Sequence, residues 1–352
     1  MKNNFDTIIF ACDCNDFSGE GILANRFIND YKNIKNNEKI YVYSFENIFF
    51  LKNNNKSFLR LNYKKKIKNN LIFKYLRPIM AIFILWFYFF KNKKIIYLNF
   101  LPLWNVLLFM FLPPKTILGP ITGSYEIRSN NNLKKVFLFF LFKISLFFLN
   151  LRMNRALFAR DLIRKVLSKH NLKKFFFNYQ IRVLEDFKNF KVKKIKKKEI
   201  DLILYFRNYY SKDNQFFKYI VSKLKKSFNI VIVGDHLNEK NIKNSGYINR
   251  SEIFKLLKKS RFTIISSENF YSNFSLDAIS NNVGLIYEKS IKPKINYFSN
   301  LDTYPVNFQK RSNAKSKIIQ ILKSKKTLKK NLSLNKKYFD IKKNFITYLD
   351  QF

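Results

Sequence analysis

The chain alternates short apolar runs with longer segments in which apolar residues recur every three or four positions. The alternation is clearest in the second half, where each apolar run is followed by a polar loop and a helix-like segment. This pattern predicts a parallel sheet covered by helices, because parallel strands need crossover connections and become buried on both faces. The predicted strands are 201–206, 229–234, 262–266 and 283–287, and the predicted helices are 214–227, 250–259 and 275–281, with a turn at 244–248.

The first half shows the same order of elements. Its predicted strands are Thr7–Ala11, Lys39–Phe45, Ile95–Asn99, Thr116–Gly119 and Ala156–Ala159, and its predicted helices are Ile22–Tyr31, Leu101–Leu112 and Arg160–Lys169. A lysine-rich stretch without apolar periodicity, Lys188–Lys198, separates the halves. For 352 residues we therefore expect two α/β domains, 1–190 and 191–325. The basic segment 311–352 is predicted to be helical and to pack back on the first domain, and 326–352 is predicted to form a separate C-terminal helical segment.

Two segments, 71–90 and 133–151, are rich in Phe and Leu. The first contains two cations and a proline and the second three lysines, so neither provides the roughly 20 uninterrupted apolar residues of a spanning helix. Three interpretations stay open, namely helices at a membrane interface, helices buried in the core, and spanning helices. We favour the interfacial interpretation, because cations flank both segments and would meet lipid headgroups while the aromatic side chains insert.

The formal net charge of +44 suggests a polyanionic partner such as nucleic acid. However, Lys, Asn, Ile and Phe are all abundant while only 7 Gly occur, which indicates that A/T-rich codon bias supplies part of the charge. No nucleic-acid-binding motif is visible, and we expect no nucleic-acid partner. We expect instead an attraction to anionic lipid surfaces and to phosphorylated substrates.

The two cysteines, Cys12 and Cys14, exclude a disulfide framework and indicate a reducing compartment. The two histidines, His170 and His236, lie far from them in sequence, so we expect no metal site. The first residues lack the length and the cleavage site of a signal peptide. These features predict a cytoplasmic protein.

Polar groups follow the predicted strands, where a parallel sheet places its ligands. Arg207 and Lys212 follow one strand and suit a diphosphate, and Glu268 follows another and suits sugar or ribose hydroxyls. Glycines in Ser18-Gly19-Glu20-Gly21 and in Gly119-Pro-Ile-Thr-Gly123-Ser124 would let backbone amides approach a ligand. For the first of these loops, a tight turn without a ligand explains the glycines equally well.

Taken in order, these motifs resemble the GT-B glycosyltransferases, and most closely glycosyltransferase family 4. Arg207-Asn-Tyr-Tyr-Ser-Lys212 has the family's spacing between the Arg and the Lys that follow the first strand of the second domain. Val233-Gly234 ends the next strand, and Gly246-Tyr247-Ile248 matches the family's turn near the nucleobase. Ser266-Ser267-Glu268 and Leu276-Asp277-Ala278 match the two acids of the family's glutamate-rich signature.

The resemblance implies a GT-B fold, in which two Rossmann-like domains face each other across a cleft, and retaining transfer from a nucleotide-diphospho-sugar without metal or other cofactor. It implies that Arg207 and Lys212 hold the diphosphate and that Glu268 holds the donor sugar. The other donor-binding residues would be Gly19, Gly21, Gly234, Tyr247, Ile248, Asn269, Ser272, Asn273, Phe274, Ser275 and, at the ribose, Asp277, and the acceptor-side residues Gly119, Thr122, Gly123 and Ser124.

The basic, Phe-rich first domain suggests a membrane-associated glycan or a lipid-linked molecule as the acceptor. This expectation places the protein at the inner face of the cytoplasmic membrane, as a peripheral enzyme of envelope polysaccharide or lipopolysaccharide synthesis.

Departures from the family pattern keep two alternatives open. Glu268 and Asp277 are one residue further apart than in the family, Asp277 replaces the usual glutamate, and no histidine precedes His170. One alternative is a fucosyltransferase-like GT-B enzyme, which the segment 262–278 also resembles. The other is a basic membrane-surface binding protein that keeps the GT-B scaffold without catalysis.

Overall fold

The computed structural model describes residues 6–11, 14, 19–35, 37–44, 48–52, 55–59, 71–103, 105–122, 132–153, 155–159, 174–182, 198–208, 214–240, 242–265, 272–289, 302–324 and 332–351. The chain divides into two compact units. Unit 1 comprises Met1–Arg182 and Ile341–Phe352, and unit 2 comprises Val183–Asp340. The predicted boundary near residue 190 lies outside the described residues.

Unit 1 contains an eight-stranded sheet. Its strands are β1 (Thr7–Ala11), β2 (Ile40–Tyr43), β3 (Ile48–Lys52), β4 (Asn55–Leu59), β5 (Lys94–Pro102), β6 (Ile117–Thr122), β7 (Arg155–Phe158) and β8 (Phe175–Phe176). The order across the sheet is β4-β3-β2-β1-β5-β6-β7-β8. In this order, the neighbours β2-β1-β5-β6-β7-β8 are all parallel to one another. At the other edge, β3 is antiparallel to β2 and β4 is antiparallel to β3. The helices of this part are α1 (Gly19–Ile34), α2 (Leu71–Phe90), α3 (Val106–Phe111) and α4 (Asn132–Arg152).

Different helices cover the two faces of this sheet, because successive side chains of a strand point to opposite sides. Alternate residues of β1, such as Ile8 and Phe10, pack in one buried cluster with α2, α3 and α4. On the other face, Phe345 near the C-terminus contacts Phe27 of α1 and Phe176 of β8. The sheet is therefore buried on both sides, as its apolar strands predict.

Unit 2 contains a six-stranded, entirely parallel sheet. Its strands are β9 (Ile200–Phe206), β10 (Ile230–Gly234), β11 (Lys243–Asn244), β12 (Ser260–Ile265), β13 (Gly284–Glu288) and β14 (Thr303–Val306), in the order β11-β10-β9-β12-β13-β14. The remaining helices are α5 (Asn214–Leu224), α6 (Arg250–Lys259), α7 (Asn273–Ser280), α8 (Arg311–Lys323) and α9 (Leu332–Asp350). The end of α9 belongs to unit 1 from Ile341 onward. Helix α8 lies in the segment 311–352 that was predicted to pack back on the first domain, but it packs in the core of unit 2 through Ala314, Ile318 and Ile321.

Several predictions for unit 1 were wrong in their boundaries, as three elements show. The predicted helix Leu101–Leu112 begins later, because β5 continues to Pro102 and pairs with β6 beyond a shift in register. Helix α1 begins at Gly19 rather than at Ile22, and Glu20 in its first turn favours this start through the helix dipole. The strand predicted to end at Gly119 continues to Thr122.

The two Phe-rich segments, 71–90 and 133–151, form the helices α2 and α4. Within the parts of the chain that the structure describes, no helix is both long enough and apolar enough to span a membrane.

Candidate functional site

The carboxyl ends of β9 and β10 bring together the polar residues that follow each strand. Arg207 and Asn208 follow β9, and Asp235 follows β10. The backbone N–H of Asp235 donates to the carbonyl of Phe206 (2.9 Å), and the N–H of Asn208 donates to Oδ2 of Asp235 (2.7 Å). The two loops are thereby joined, and the sheet positions Arg207 and Asp235 at its carboxyl edge, where parallel α/β sheets bind ligands.

Gly234 makes this junction possible. Its φ is +100°, and a Cβ atom there would lie 2.3 Å from the carbonyl oxygen of Phe206. Its N–H donates to the carbonyl of Gly246 (2.9 Å), which draws the turn after β11 toward the same edge. The structure thus gives Gly234 a role in positioning the neighbouring loops.

Arg207 lies on an aromatic platform. Its Nε donates to the hydroxyl of Tyr205 (2.9 Å), and its guanidinium carbon lies 5.3 Å from the centroid of that ring. The Tyr205 ring stacks on Phe274 of α7, with 5.3 Å between centroids and 20° between planes. Within the described residues, only Nε–H of the five N–H donors of Arg207 has a partner. The exposed guanidinium is therefore held in place and can bind an oxyanion.

Tyr247 and Asp235 form a second contact at this edge. The Tyr247 hydroxyl donates to Oδ1 of Asp235 (2.7 Å). This bond, the Asn208 N–H and the charge of Arg207 lower the pKa of Asp235, so Asp235 is ionised at neutral pH. Partial burial of the phenol and its bond to Asp235 raise the pKa of Tyr247 to about 12. Tyr247 itself remains largely exposed, and its ring is accessible to a ligand.

A side-chain cap closes the N-terminal end of α7. Ser272 is the N-cap, and its Oγ accepts from the N–H of Ser275 (3.1 Å) and lies 2.8 Å from the Ser275 Oγ. The amide of Ser275, predicted as a donor-binding group, is therefore engaged by the cap. Asn273 and Phe274 open the helix, and Phe274 contacts the platform under Arg207.

Asp277, predicted at the ribose, is buried against Arg250. Arg250 Nη2 donates to Oδ1 of Asp277 (2.6 Å), and Arg250 Nε donates to Oδ2 (3.1 Å). This bidentate pair joins the start of α6 to the middle of α7. A ribose hydroxyl would have to use the remaining lone pairs of a carboxylate that is only 4% exposed, so the ribose role of Asp277 stays a prediction.

The predicted residues of unit 1 lie on α1 and β6. Gly19 and Gly21 are in the first turn of α1, and Gly21 is buried. Gly119 lies inside β6 at φ +143°, where a Cβ atom would lie 2.5 Å from the carbonyl oxygen of Leu157 in β7. Close packing against β7 thus accounts for Gly119. Thr122 ends β6.

Five predicted site residues lie outside the described residues. They are Lys212, Glu268 and Asn269 on the donor side and Gly123 and Ser124 on the acceptor side. Their roles stay predictions. Of the other predicted donor residues, Arg207, Gly234, Tyr247 and Phe274 meet at one edge of unit 2, and Ile248 follows Tyr247 directly.

Sequence reasoning missed Tyr205, Asp235 and Arg250. Asp235 directly follows the strand-ending Gly234, and that position alone could have marked it. Tyr205 lies within a strand, and Arg250 is one of many cations, so neither had a local signal. Among the described residues, no group of three or more His, Cys, Asp or Glu side chains is arranged to hold a metal ion.

A comparison of the sequence with known protein families gives no match, and a comparison with curated proteins gives none either. Solved structures, in contrast, match over almost the whole chain. Sucrose-phosphate synthase from Thermosynechococcus elongatus superposes with a TM-score of 0.62 at 9% sequence identity, covering 98% of this chain and 98% of that chain. The chain has the GT-B fold.

Two further structures agree with this fold. UDP-GlcNAc 2-epimerase from Methanocaldococcus jannaschii, solved with UDP-GlcNAc and UDP, gives a TM-score of 0.52 at 11% identity over 97% of this chain and 99% of that chain. A glycosyltransferase from Rickettsia africae gives 0.51 at 14% identity over 99% of this chain and 96% of that chain. The predicted fold class is confirmed, and because an epimerase shares it, the reaction must be argued from the site.

Proposed function

We propose that the protein is a glycosyltransferase that uses a nucleotide-diphospho-sugar as donor. The observation that carries this proposal is the position of Arg207, held by Tyr205 over the stacked Phe274 at the carboxyl edge of the unit 2 sheet. A fixed guanidinium at this edge suits a diphosphate, whose oxygens accept paired hydrogen bonds.

The chemistry follows from the charge on the leaving group. When the sugar leaves, negative charge grows on the departing diphosphate, and cations that are already in place stabilise it without reorganisation. Arg207 would supply one cation and Lys212 the second, so the reaction would need no metal. Glu268 would bind donor sugar hydroxyls. Tyr247 and Ile248 would contact the nucleobase, as the resemblance to glycosyltransferase family 4 implies.

UDP-sugars are the first donors to test, because a structure of the same fold contains UDP-GlcNAc and UDP. We propose that the acceptor is a membrane-associated glycan or a lipid-linked molecule, that the stereochemistry is retained, and that the enzyme acts at the inner face of the cytoplasmic membrane in envelope polysaccharide or lipopolysaccharide synthesis. The net charge of +44 and the apolar helices of unit 1 support this location.

A thermal-shift screen of the purified chain against UDP, GDP, ADP, CMP and their sugar conjugates tests the donor site. Ligand at 100 times its Kd should add about 2.7 kcal/mol of apparent stability. We expect one nucleoside diphosphate to stabilise the wild type and to lose this effect in Arg207→Ala. The matched control is Lys317→Ala, which removes an exposed cation of α8 and should respond like the wild type.

The outcomes separate the alternatives. Equal stabilisation of Arg207→Ala and wild type would contradict the diphosphate assignment. Nucleotide binding without any transfer or hydrolysis of the sugar would favour the interpretation of a binding protein that keeps the scaffold without catalysis. That interpretation has one observation in its favour, since Arg250 already binds the carboxylate of Asp277.

A further inference from the structure

Three helices of unit 1 expose apolar side chains to solvent. On α2 these include Phe83 (71% exposed) and Phe90 (75%), and on α4 they include Leu133 (81%). The remaining members are Ile79, Met80 and Phe87 on α2, Leu107 and Phe111 on α3, and Val136, Phe137, Phe139, Phe140, Phe147 and Leu151 on α4. We call this set the outer helix face. Soluble proteins rarely expose a contiguous apolar patch of this kind unless it binds a partner.

The outer helix face is apolar where a soluble helix is normally polar. Helix α2 buries Ala81 and Leu85 against the sheet. In the described part of α2, all of the exposed residues are apolar as well. On α4, Lys143 is the one charged residue among the exposed side chains that the structure describes. Both helices are thus apolar on their outward and their inward sides, which is the pattern of helices in contact with lipid.

The three helices form one continuous surface. Nε1 of Trp86 in α2 donates to the carbonyl of Phe111 in α3 (2.7 Å). Nη1 of Arg152 at the end of α4 donates to the carbonyl of Met110, also in α3. Helix α3 therefore lies between the other two and is fixed to both, and all three pack on the same face of the sheet.

Cations accompany this surface in the way that suits an anionic membrane. The ammonium group of Lys91 lies 4.0 Å from the ring centroid of Phe87, and that of Lys143 lies 5.3 Å from Phe139. Such lysines can bury their stems beside the aromatic rings while their charges reach lipid headgroups. Glu126 is the single acidic residue between Leu71 and Arg152 in the sequence. A second copy of this chain would bring another +44 charge toward the same face, whereas anionic headgroups complement it.

We propose that the outer helix face is a membrane-docking surface that inserts its Phe and Leu side chains into the interface of an anionic bilayer. Lys91 and Lys143 then lie at the headgroups. This inference deepens the proposed location of the enzyme and names the surface responsible, but it does not depend on the donor chemistry of unit 2.

Vesicle flotation of the full chain tests the proposal, with phosphatidylcholine vesicles that contain or lack phosphatidylglycerol. The key variant is Phe83→Gln/Phe90→Gln/Phe140→Gln, in which three exposed rings are replaced without touching the core. Because each inserted ring contributes a large part of its transfer free energy, we expect at least about tenfold weaker binding than the wild type. Circular dichroism should show that the variant is folded.

Paired lysine variants separate a local surface from diffuse attraction by the net charge. Lys91→Gln/Lys143→Gln should weaken binding to anionic vesicles by roughly fivefold or more per residue at low salt. Lys317→Gln/Lys323→Gln removes the same charge from α8 and should bind like the wild type. Equal weakening by both pairs, or unchanged binding of the Phe variant, would overturn the proposal.

Two further outcomes have defined meanings. If the Phe variant changed a dimer into a monomer and left vesicle binding intact, the outer helix face would be an interface between copies and the proposal would be wrong. Arg207→Ala should float like the wild type, so a failure of the proposed transferase chemistry would be seen separately from a failure of membrane docking.

Discussion

Gly234 ends β10 with φ at +100°, and a side chain there would meet the carbonyl oxygen of Phe206 at 2.3 Å. Gly246 also has positive φ, at +66°, but a Cβ atom there would find nothing within 4 Å. A comparison of the two glycines therefore separates two contributions to the free-energy cost of adding a side chain. Both substitutions carry the cost of a left-handed backbone, and Gly234 adds a collision with rigid backbone.

We therefore expect Gly234→Ala to lower the free energy of unfolding by at least about 3 kcal/mol and Gly246→Ala by about 1 kcal/mol. Urea denaturation of both variants measures the difference. The larger loss should come with loss of nucleotide binding, because Gly234 sets the path of the loop that carries Asp235. Equal losses for the two variants would contradict the role given to the contact with Phe206.

At the same scale, the candidate site was predictable only where a residue has a local signal. Arg207 and Tyr247 could be predicted, because the first follows an apolar strand and the second follows a glycine in a turn. The contact between Tyr247 and Asp235 joins residues that follow different strands, and only the pairing of β10 with its neighbours brings them together. The pairing of Arg250 with Asp277 was hidden for the same reason, since nothing in either helix marks its partner.

Among the elements, the C-terminal end of α7 is bound by a partly buried lysine. Nζ of Lys198 donates to the carbonyls of Asn282 (2.7 Å) and Asn281 (3.3 Å), which follow the last turn of α7. Burial, and then the charge of Arg261, lower the pKa of Lys198 to about 8. A cation at a helix C-terminus is favourable, but this one is held at a cost in desolvation.

The consequence is a stability that increases with pH. Between pH 8 and about 10.5, the unfolded chain keeps the proton of Lys198 while the folded chain has released it, so stability rises across this window. We expect the difference in unfolding free energy between wild type and Lys198→Met to grow in favour of the wild type by about 2–3 kcal/mol from pH 8 to pH 10.5. Urea denaturation of both proteins at these pH values measures it, since other groups cancel in the difference. A constant difference would contradict the lowered pKa.

The helices and strands were predictable where the local sequence signals, such as caps and apolar periodicity, agree with one another. Helix α6 was predicted with its observed bounds, because Asn249 caps it by accepting from the N–H of Glu252 and lysines occupy its last turn. The antiparallel pair β3–β4 was missed, because both strands have only five residues and the polar residues Lys52, Asn55 and Lys56 lie where the chain passes from one strand to the other. The start of α3 was predicted too early, because its first apolar residues pair with β6 and extend β5 instead.

At the scale of the whole molecule, unit 1 is formed by two separate stretches of the chain, and unit 2 lies between them in sequence. Unit 1 is completed by the last residues, Ile341–Phe352, which follow unit 2 in sequence. Phe345 is fully buried there, with 5.0 Å between its ring centroid and those of Phe176 and Tyr179. Nη1 and Nη2 of Arg155 donate to the carbonyls of Tyr348 (3.1 Å) and Gln351 (2.8 Å). These contacts make the C-terminus part of the core of unit 1.

We expect Phe345→Ala to destabilise unit 1 by about 3–5 kcal/mol through the cavity it leaves. Hydrogen exchange followed by mass spectrometry should show faster exchange in α1 and around β8, while the strands β9, β10 and β12 keep their protection. Nucleotide binding should be retained, since Arg207, Tyr247 and Phe274 lie in unit 2.

Ile318→Ala is the matched control, because Ile318 is equally buried but lies in α8 within the core of unit 2. Its loss should cost about 2–5 kcal/mol and speed exchange in β9 and β12 instead. If either variant loosened both units to the same extent, the C-terminal residues would not belong to unit 1 alone, and the two units would have to unfold as one cooperative structure. Opposite patterns in the two variants would show that residues 341–352 stabilise unit 1 although they follow unit 2 in the chain.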